Sequence, residues 1–149
     1  MPPLFITLEG VEGCGKSTQA RALAESLAVA GHRTVSTREP GGTHLGDQIR
    51  NLLLDPGQDR MSDRVELLLY AAARAQHVDQ VIRPALASDS VVICDRFADS
   101  TVAYQGYGLE LDLELITRLS DLACGGLRPD LTFLLDLAPE FGLQRKRGQ

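Results

Sequence analysis

Short apolar runs alternate along this chain with longer segments in which apolar residues recur every three or four positions. The short runs predict four strands, at Leu4–Glu9, Arg33–Arg38, Ser90–Cys94 and Leu131–Asp136, and their alternation with helical segments predicts an α/β domain with a mainly parallel sheet. The runs "VVIC" and "LTFLL" are apolar without a polar face, as expected of central strands covered on both sides. Helical spacing predicts Lys16–Ala30, stopped by Gly31, then Leu45–Leu54, Asp63–Ala87 and Asp112–Cys124, with Pro84 expected to kink or end the third. Stretches around Pro56 and Gly125 read as loops, and nothing suggests a repeat or a second domain. The terminal "APEFGLQRKRGQ" begins a helix at Pro139 and stops at Gln149 on a basic tip without a closing element, so the chain is either a fragment or ends in a mobile tail.

Composition narrows the chemistry. A chain of 149 residues suits a single domain, and 15 basic against 20 acidic residues give a net charge of −5, which argues against a general nucleic-acid binder. A small phosphorylated ligand needs only local cations, available at Lys16, Arg38, Arg74, Arg96 and Arg145–Arg147. Cys14, Cys94 and Cys124 are scattered, with no metal-ligand spacing, and fit a reducing cytosol better than an oxidising compartment. Neither a signal peptide nor a run long enough to cross a bilayer is visible, so a cytoplasmic protein without a membrane partner is expected.

The most informative stretch is "EGVEGCGKST", in which Gly10 through Ser17 spell GxxxxGKS between a predicted strand and a predicted helix. Glycines at Gly10, Gly13 and Gly15 let the amides of Val11, Glu12 and Cys14 and their neighbours turn inward as an anion nest, and the next helix adds its positive end. Lys16 would reach the outer phosphates, and the Ser17 hydroxyl, beside Thr18, would sit on Mg²⁺.

Further residues separate the classes that share this loop. In "VVICDRFADSTVAYQG" a strand ends in Asp95, at the sheet edge that carries the phosphate loop, where a carboxylate can hold Mg²⁺ or its waters. The adjacent Arg96 can bridge donor and acceptor phosphates. Asp136 ends another strand and competes for the metal role; Asp95 is preferred because Arg96 adjoins it. Arg38 and Glu39 precede a Pro-Gly-Gly turn suited to a pocket wall. Tyr70 and Arg74, at i and i+4, share a helix face and could stack on a base and bond its edge; the same spacing also suits a core tyrosine with a surface arginine. Ser100, Thr101, Tyr104 and Gln105 offer polar groups just past Arg96, and His77 reads as solvated or capping.

Together, "EGVEGCGKST", "REPGGT", "AAARAQH" and "DRFADSTVAYQG", in this order, resemble the bacterial thymidylate kinase family over nearly the whole chain. The resemblance implies a three-layer α/β/α nucleoside monophosphate kinase fold with a P-loop, forming a homodimer that converts ATP and dTMP to ADP and dTDP with Mg²⁺. It implies that Lys16 and Ser17 serve the ATP phosphates and metal, that Asp95 and Arg96 are the catalytic pair, and that Arg74 contacts thymine. It further implies that Tyr70 stacks on the base, Thr101 and Gln105 line its edge, Tyr104 disfavours ribose, and Glu12 lies near the acceptor sugar. An arginine can only donate, which independently suits the O4 acceptor of thymine and not the amino group of cytosine. Because Gly13 stands where the eukaryotic kind carries arginine, the missing cation is expected from a lid bearing Arg145, Lys146 and Arg147. Family members continue past this tip through the rest of the lid, a strand and terminal helices, so this part is expected to be missing here. A kinase for another nucleotide, and a nucleotide-binding module without turnover, are the competing readings.

Overall fold

The structure is a computed structural model that describes residues 2–57 and 59–147, with side chains through Arg145. Four parallel strands, β1 (Leu4–Gly10), β2 (Thr34–Arg38), β3 (Val91–Asp95) and β4 (Leu131–Leu135), lie in the order β2-β3-β1-β4. Helices α1 (Lys16–Val29), α2 (His44–Leu54), α3 (Asp63–His77), α4 (Arg83–Ala87), α5 (Ala98–Thr101), α6 (Leu113–Cys124) and α7 (Pro139–Arg147) complete it.

Strand alternation sorts the core into two layers. On one face Ile6, Leu8, Val91 and Ile93 pack on Ala20, Leu23 and Leu27 of α1. On the other, Phe5, Val92 and Cys94 meet Val78, Ile82, Phe97 and Cys124, with the Phe5 and Phe97 rings edge to face at 4.9 Å. This is the expected α/β/α arrangement, and all four strands fall within one or two residues of their predicted limits.

Two expectations change. "VVIC" is central, but β4 is an edge strand: among the described residues it pairs only with β1, and Leu134 is 72% exposed. An apolar run without alternation reports what can be covered, not what the described residues cover. The helix expected over Asp63–Ala87 is interrupted before Pro84: a π-helical turn at Val78–Ile82 follows α3, and Pro84 lies in the first turn of α4, where a missing N–H costs little. The same device recurs after α5, in the π-helical segment Val102–Gly108.

Parallel pairing positions the site. Leu8 stands opposite Asp95 in the β1–β3 ladder, and the Arg96 amide extends it by donating to the Leu8 carbonyl at 3.0 Å. The turn beginning at Gly10 and the Asp95–Arg96 pair therefore emerge side by side at the carboxyl rim. Since Ile93 is fully buried in β3, Ile93→Ala should destabilise the chain by about 2–5 kcal/mol, read as a lower urea midpoint with unchanged slope.

Candidate active site

The loop from Gly10 to Gly15 turns through left-handed backbone at Gly10 (φ 140°), Gly13 (φ 72°) and Gly15 (φ 99°) before α1 begins at Lys16. Gly13 has a second constraint: a Cβ there would lie 2.2 Å from the Gly142 carbonyl, so α7 rests directly on the loop. Lys16 is buried and its Nζ donates to the carbonyls of Gly10 (2.9 Å) and Val11 (2.8 Å) and approaches Cys14 Sγ at 3.6 Å. The Ser17 hydroxyl donates to Asp95 Oδ2 at 2.5 Å.

These groups border an open cavity of about 680 Å³ lined by Glu12, Gly13, Gly15, Lys16, Ser17, Thr18, Arg38, Arg50, Asp95, Arg96 and Arg145. Arg145 Nη1 reaches the Gly13 carbonyl at 3.4 Å. The Lys146 and Arg147 side chains lie outside the described residues. Asp136 borders neither this cavity nor the next.

A smaller cavity of about 230 Å³ adjoins the first, sharing Glu12, Glu39, Arg50 and Arg96 with it and adding Tyr70, Arg74, Ser100, Thr101, Tyr104 and Gln105. Arg38 borders only the larger of the two, where its guanidinium faces Asp47 at 3.6 Å. Arg96 adopts φ 71°, a strained backbone conformation for a non-glycine residue, and its guanidinium donates to Ser100 Oγ (3.0 Å) and Tyr104 Oη (3.3 Å). It also lies over the Tyr104 ring at 5.2 Å.

Two buried carboxylates hold these arginines, and neither role was visible in the sequence. Glu9 accepts from the Phe97 amide (2.7 Å) and from Ser100 Oγ (2.6 Å), fixing the turn that carries Arg96. Burial raises its pKa above the ordinary 4.5, against the opposing pull of Ser100 and Phe97. Glu39 accepts from Arg74 Nε at 2.7 Å and pairs with His77 Nδ1 at 2.9 Å, while His77 Nε2 meets Thr37 Oγ1 at 2.7 Å. His77 is therefore neither solvated nor capping: it is fully buried, and a lone histidine on a helix gives no hint of a partner from another element. Arg74, 3% exposed, also donates through Nη2 to Phe97 O (3.1 Å) and Thr101 Oγ1 (3.0 Å), leaving Nη1 outside those bonds.

Arg50 is a site residue that the sequence reading missed. It lines both cavities and donates to the Pro40 carbonyl at 2.9 Å. Burial, then the neighbouring Arg38 charge, lowers its pKa, as expected where cations converge on an anion site. Its only signal was helical spacing, which puts it one turn beyond Asp47 on α2. Chemically, the paired cavities offer one anion cradle opening onto a mixed aromatic and polar pocket, with cations at the junction.

The sequence pattern of a family described as "Thymidylate kinase" matches residues 8–149. The chain is 61% identical over 141 residues to a thymidylate kinase of Geobacter sulfurreducens, covering 95% of this chain and 66% of that protein. It is 62% identical over 144 residues to one from Synechococcus, covering 97% of this chain and 70% of that protein. The chain thus spans about two thirds of the length of these curated relatives. A crystal structure of thymidylate kinase from Ehrlichia chaffeensis superposes with a TM-score of 0.87 at 43% identity, over 99% of this chain and 84% of that one.

Because Glu9 has a raised pKa in the folded state, ionising it costs stability: the benefit is full below the ordinary 4.5 and is lost as pH rises through the higher folded value. Compared with Glu9→Gln, the parent chain should lose relative stability as pH rises from below 4.5 through the higher folded value, as measured by urea unfolding.

Proposed function

The chain belongs to the thymidylate kinase family, and we propose that it transfers the γ-phosphoryl group of ATP to the 5′-phosphate of dTMP, giving ADP and dTDP. The observation that carries this reading is the junction of the two cavities at Arg96 and Arg50, beside Asp95 and the Gly10–Thr18 loop. An acceptor phosphate held there would face the outer phosphate of a nucleotide in the loop. One O–P bond then forms in line, the bridging bond to the β-phosphate breaks, and ADP leaves with the electron pair.

Each residue has a stated part. The amides of residues 10–18 and Lys16, released from its own loop carbonyls, hold the donor phosphates. Arg96, Arg50 and Arg145 offset charge on the transferring group, with Arg38 beside them and Arg147 the expected further cation of the lid. Tyr70 stacks on the base, Arg74 donates to O4 of thymine, Thr101 and Gln105 line its edge, and Tyr104, with Glu12 and Ser100 nearby, flanks the sugar. Ser17 Oγ and Asp95 Oδ2, in contact at the cradle's mouth, are the hard oxygen donors that suit Mg²⁺. Among the described residues no cluster of three or more His, Cys, Asp or Glu could enclose a metal, which fits an ion that keeps waters and phosphate oxygens as ligands. Bound there, Mg²⁺ would neutralise phosphate charge.

The proposal extends to a single kinase domain acting as a homodimer. Exposed Val65 and Leu68 on α3 and Leu115 and Leu122 on α6, two helices that pack together, supply apolar surface for a second copy. A cytoplasmic setting suits three unpaired cysteines, and no helix among the described residues is long and apolar enough to cross a membrane.

In a coupled assay, ADP should appear from ATP only when dTMP is present; an ATP-induced thermal shift without such turnover would support a binding module instead. A preference for dCMP or another acceptor in the same assay would move the chain to a different kinase. Arg96→Ala should keep the ATP-induced thermal shift but lower kcat by about 10³-fold or more. Arg50→Ala should weaken dTMP binding by about 1.5–3 kcal/mol while leaving ATP binding nearly unchanged.

A further inference from the structure

We propose that Glu66 is a specificity-determining residue: it fixes the orientation of the Gln105 amide and so decides that this amide offers the base its acceptor end, not its donor end. This rests on the thymine reading above.

Glu66, Tyr70 and Arg74 follow one another at intervals of four on α3; Tyr70 and Arg74 line the smaller cavity, and Glu66 lies one turn before them on the same stripe. Gln105 enters the same cavity from the π-helical segment Val102–Gly108 and is only 3% exposed. Its Nε2 donates to Glu66 Oε1 at 2.8 Å. Charge enforces this orientation. A carboxylate only accepts, whereas an amide has one donating and one accepting end, so the reversed amide would press oxygen against oxygen with no proton between them.

The other end of the amide is then determined. Among the described residues no buried side-chain nitrogen or oxygen lacks a partner, and none of them donates to Gln105 Oε1. That oxygen is therefore open to the cavity that Gln105 lines. Arg74 lines the same cavity, a pure donor that Glu39 holds through Nε and that reaches Thr101, one turn before Gln105. The wall of one cavity thus presents a donor and an acceptor. Thymine shows the complement, an O4 acceptor beside an N3–H donor, and cytosine shows the reverse, an amino donor beside an N3 acceptor. Tyr70 takes part in the same local field: burial, then the Glu66 charge, raises its pKa and keeps its hydroxyl protonated.

Replacing the carboxylate by an amide frees the constraint, because Glu66→Gln lets either end of Gln105 face α3 at little steric cost. The test is calorimetric binding of dTMP and of 5-methyl-dCMP, a pair that keeps the methyl group and exchanges only the polar edge. The parent chain should favour dTMP. In Glu66→Gln the affinity ratio should fall by at least about tenfold, mostly through tighter binding of 5-methyl-dCMP. In a Gln105→Leu background the same Glu66→Gln change should leave the ratio as it is. An unchanged ratio in Glu66→Gln would overturn the assignment, as would equal weakening of both ligands, which marks a merely structural role. A ratio that still shifts in the Gln105→Leu background would show that Glu66 acts through another group and would overturn it too. A parent chain without dTMP preference would instead remove the thymine reading, and this assignment with it.

Discussion

The parallel ladder between β1 and β3 is the constraint on which the rest of this molecule depends. Its register sets Leu8 against Asp95, and the Arg96 amide adds one more rung by donating to Leu8. β3 ends opposite Leu8, two residues before β1 ends at Gly10, so both run out at the same rim, where Ser17 at the start of α1 touches Asp95 at the end of β3. A slip of one residue would turn Asp95 and the apolar residues of β3 to opposite faces, so the two apolar cores that fix the register also fix the chemistry.

Preorganisation of the pocket is achieved with buried charge. Glu9 and Glu39 are nearly sealed from solvent, yet each is satisfied by at least two donors or partners from distant segments. Burying a carboxylate is costly unless such partners are in place, and here the partners are the elements that carry the functional side chains. Glu9 ties the strand before the phosphate loop to the turn of Arg96, whose positive φ is a strain the surroundings must hold. Glu39 ties the end of β2 to Arg74 on α3, with His77 and Thr37 behind it. The polar network is complete among the described residues, so its members are over-determined and have little freedom to rotate.

The seat of α7 follows a different logic, that of space. Gly142 and the backbone of Glu12 and Gly13 approach so closely that a Cβ on either glycine would overlap a carbonyl oxygen. Two glycines therefore let a basic helix lie on the anion cradle and bring Arg145 to the Gly13 carbonyl. A side chain at position 13 would have to displace that helix, which gives a steric meaning to the pairing of a glycine in the loop with cations beyond Pro139.

The sequence by itself determined the strands, the phosphate loop and the strand-end pair Asp95–Arg96, because each is written in local spacing: apolar period, glycine intervals and the residue at a strand terminus. Helical arithmetic likewise put Tyr70 and Arg74 on one face. Only the tertiary structure decided that "LTFLL" pairs on one side alone among the described residues, that a π turn precedes Pro84, and that His77 is buried behind Glu39. The same holds for Glu9, Arg50 and Glu66, whose roles come from partners on other elements: Phe97 and Ser100, Pro40, and Gln105 respectively. The physical reason is common to all of them. Periodicity reports what a residue's own element can bury or present, whereas a charge's partner, and therefore its function, is chosen by whichever distant segment the fold brings within hydrogen-bonding distance.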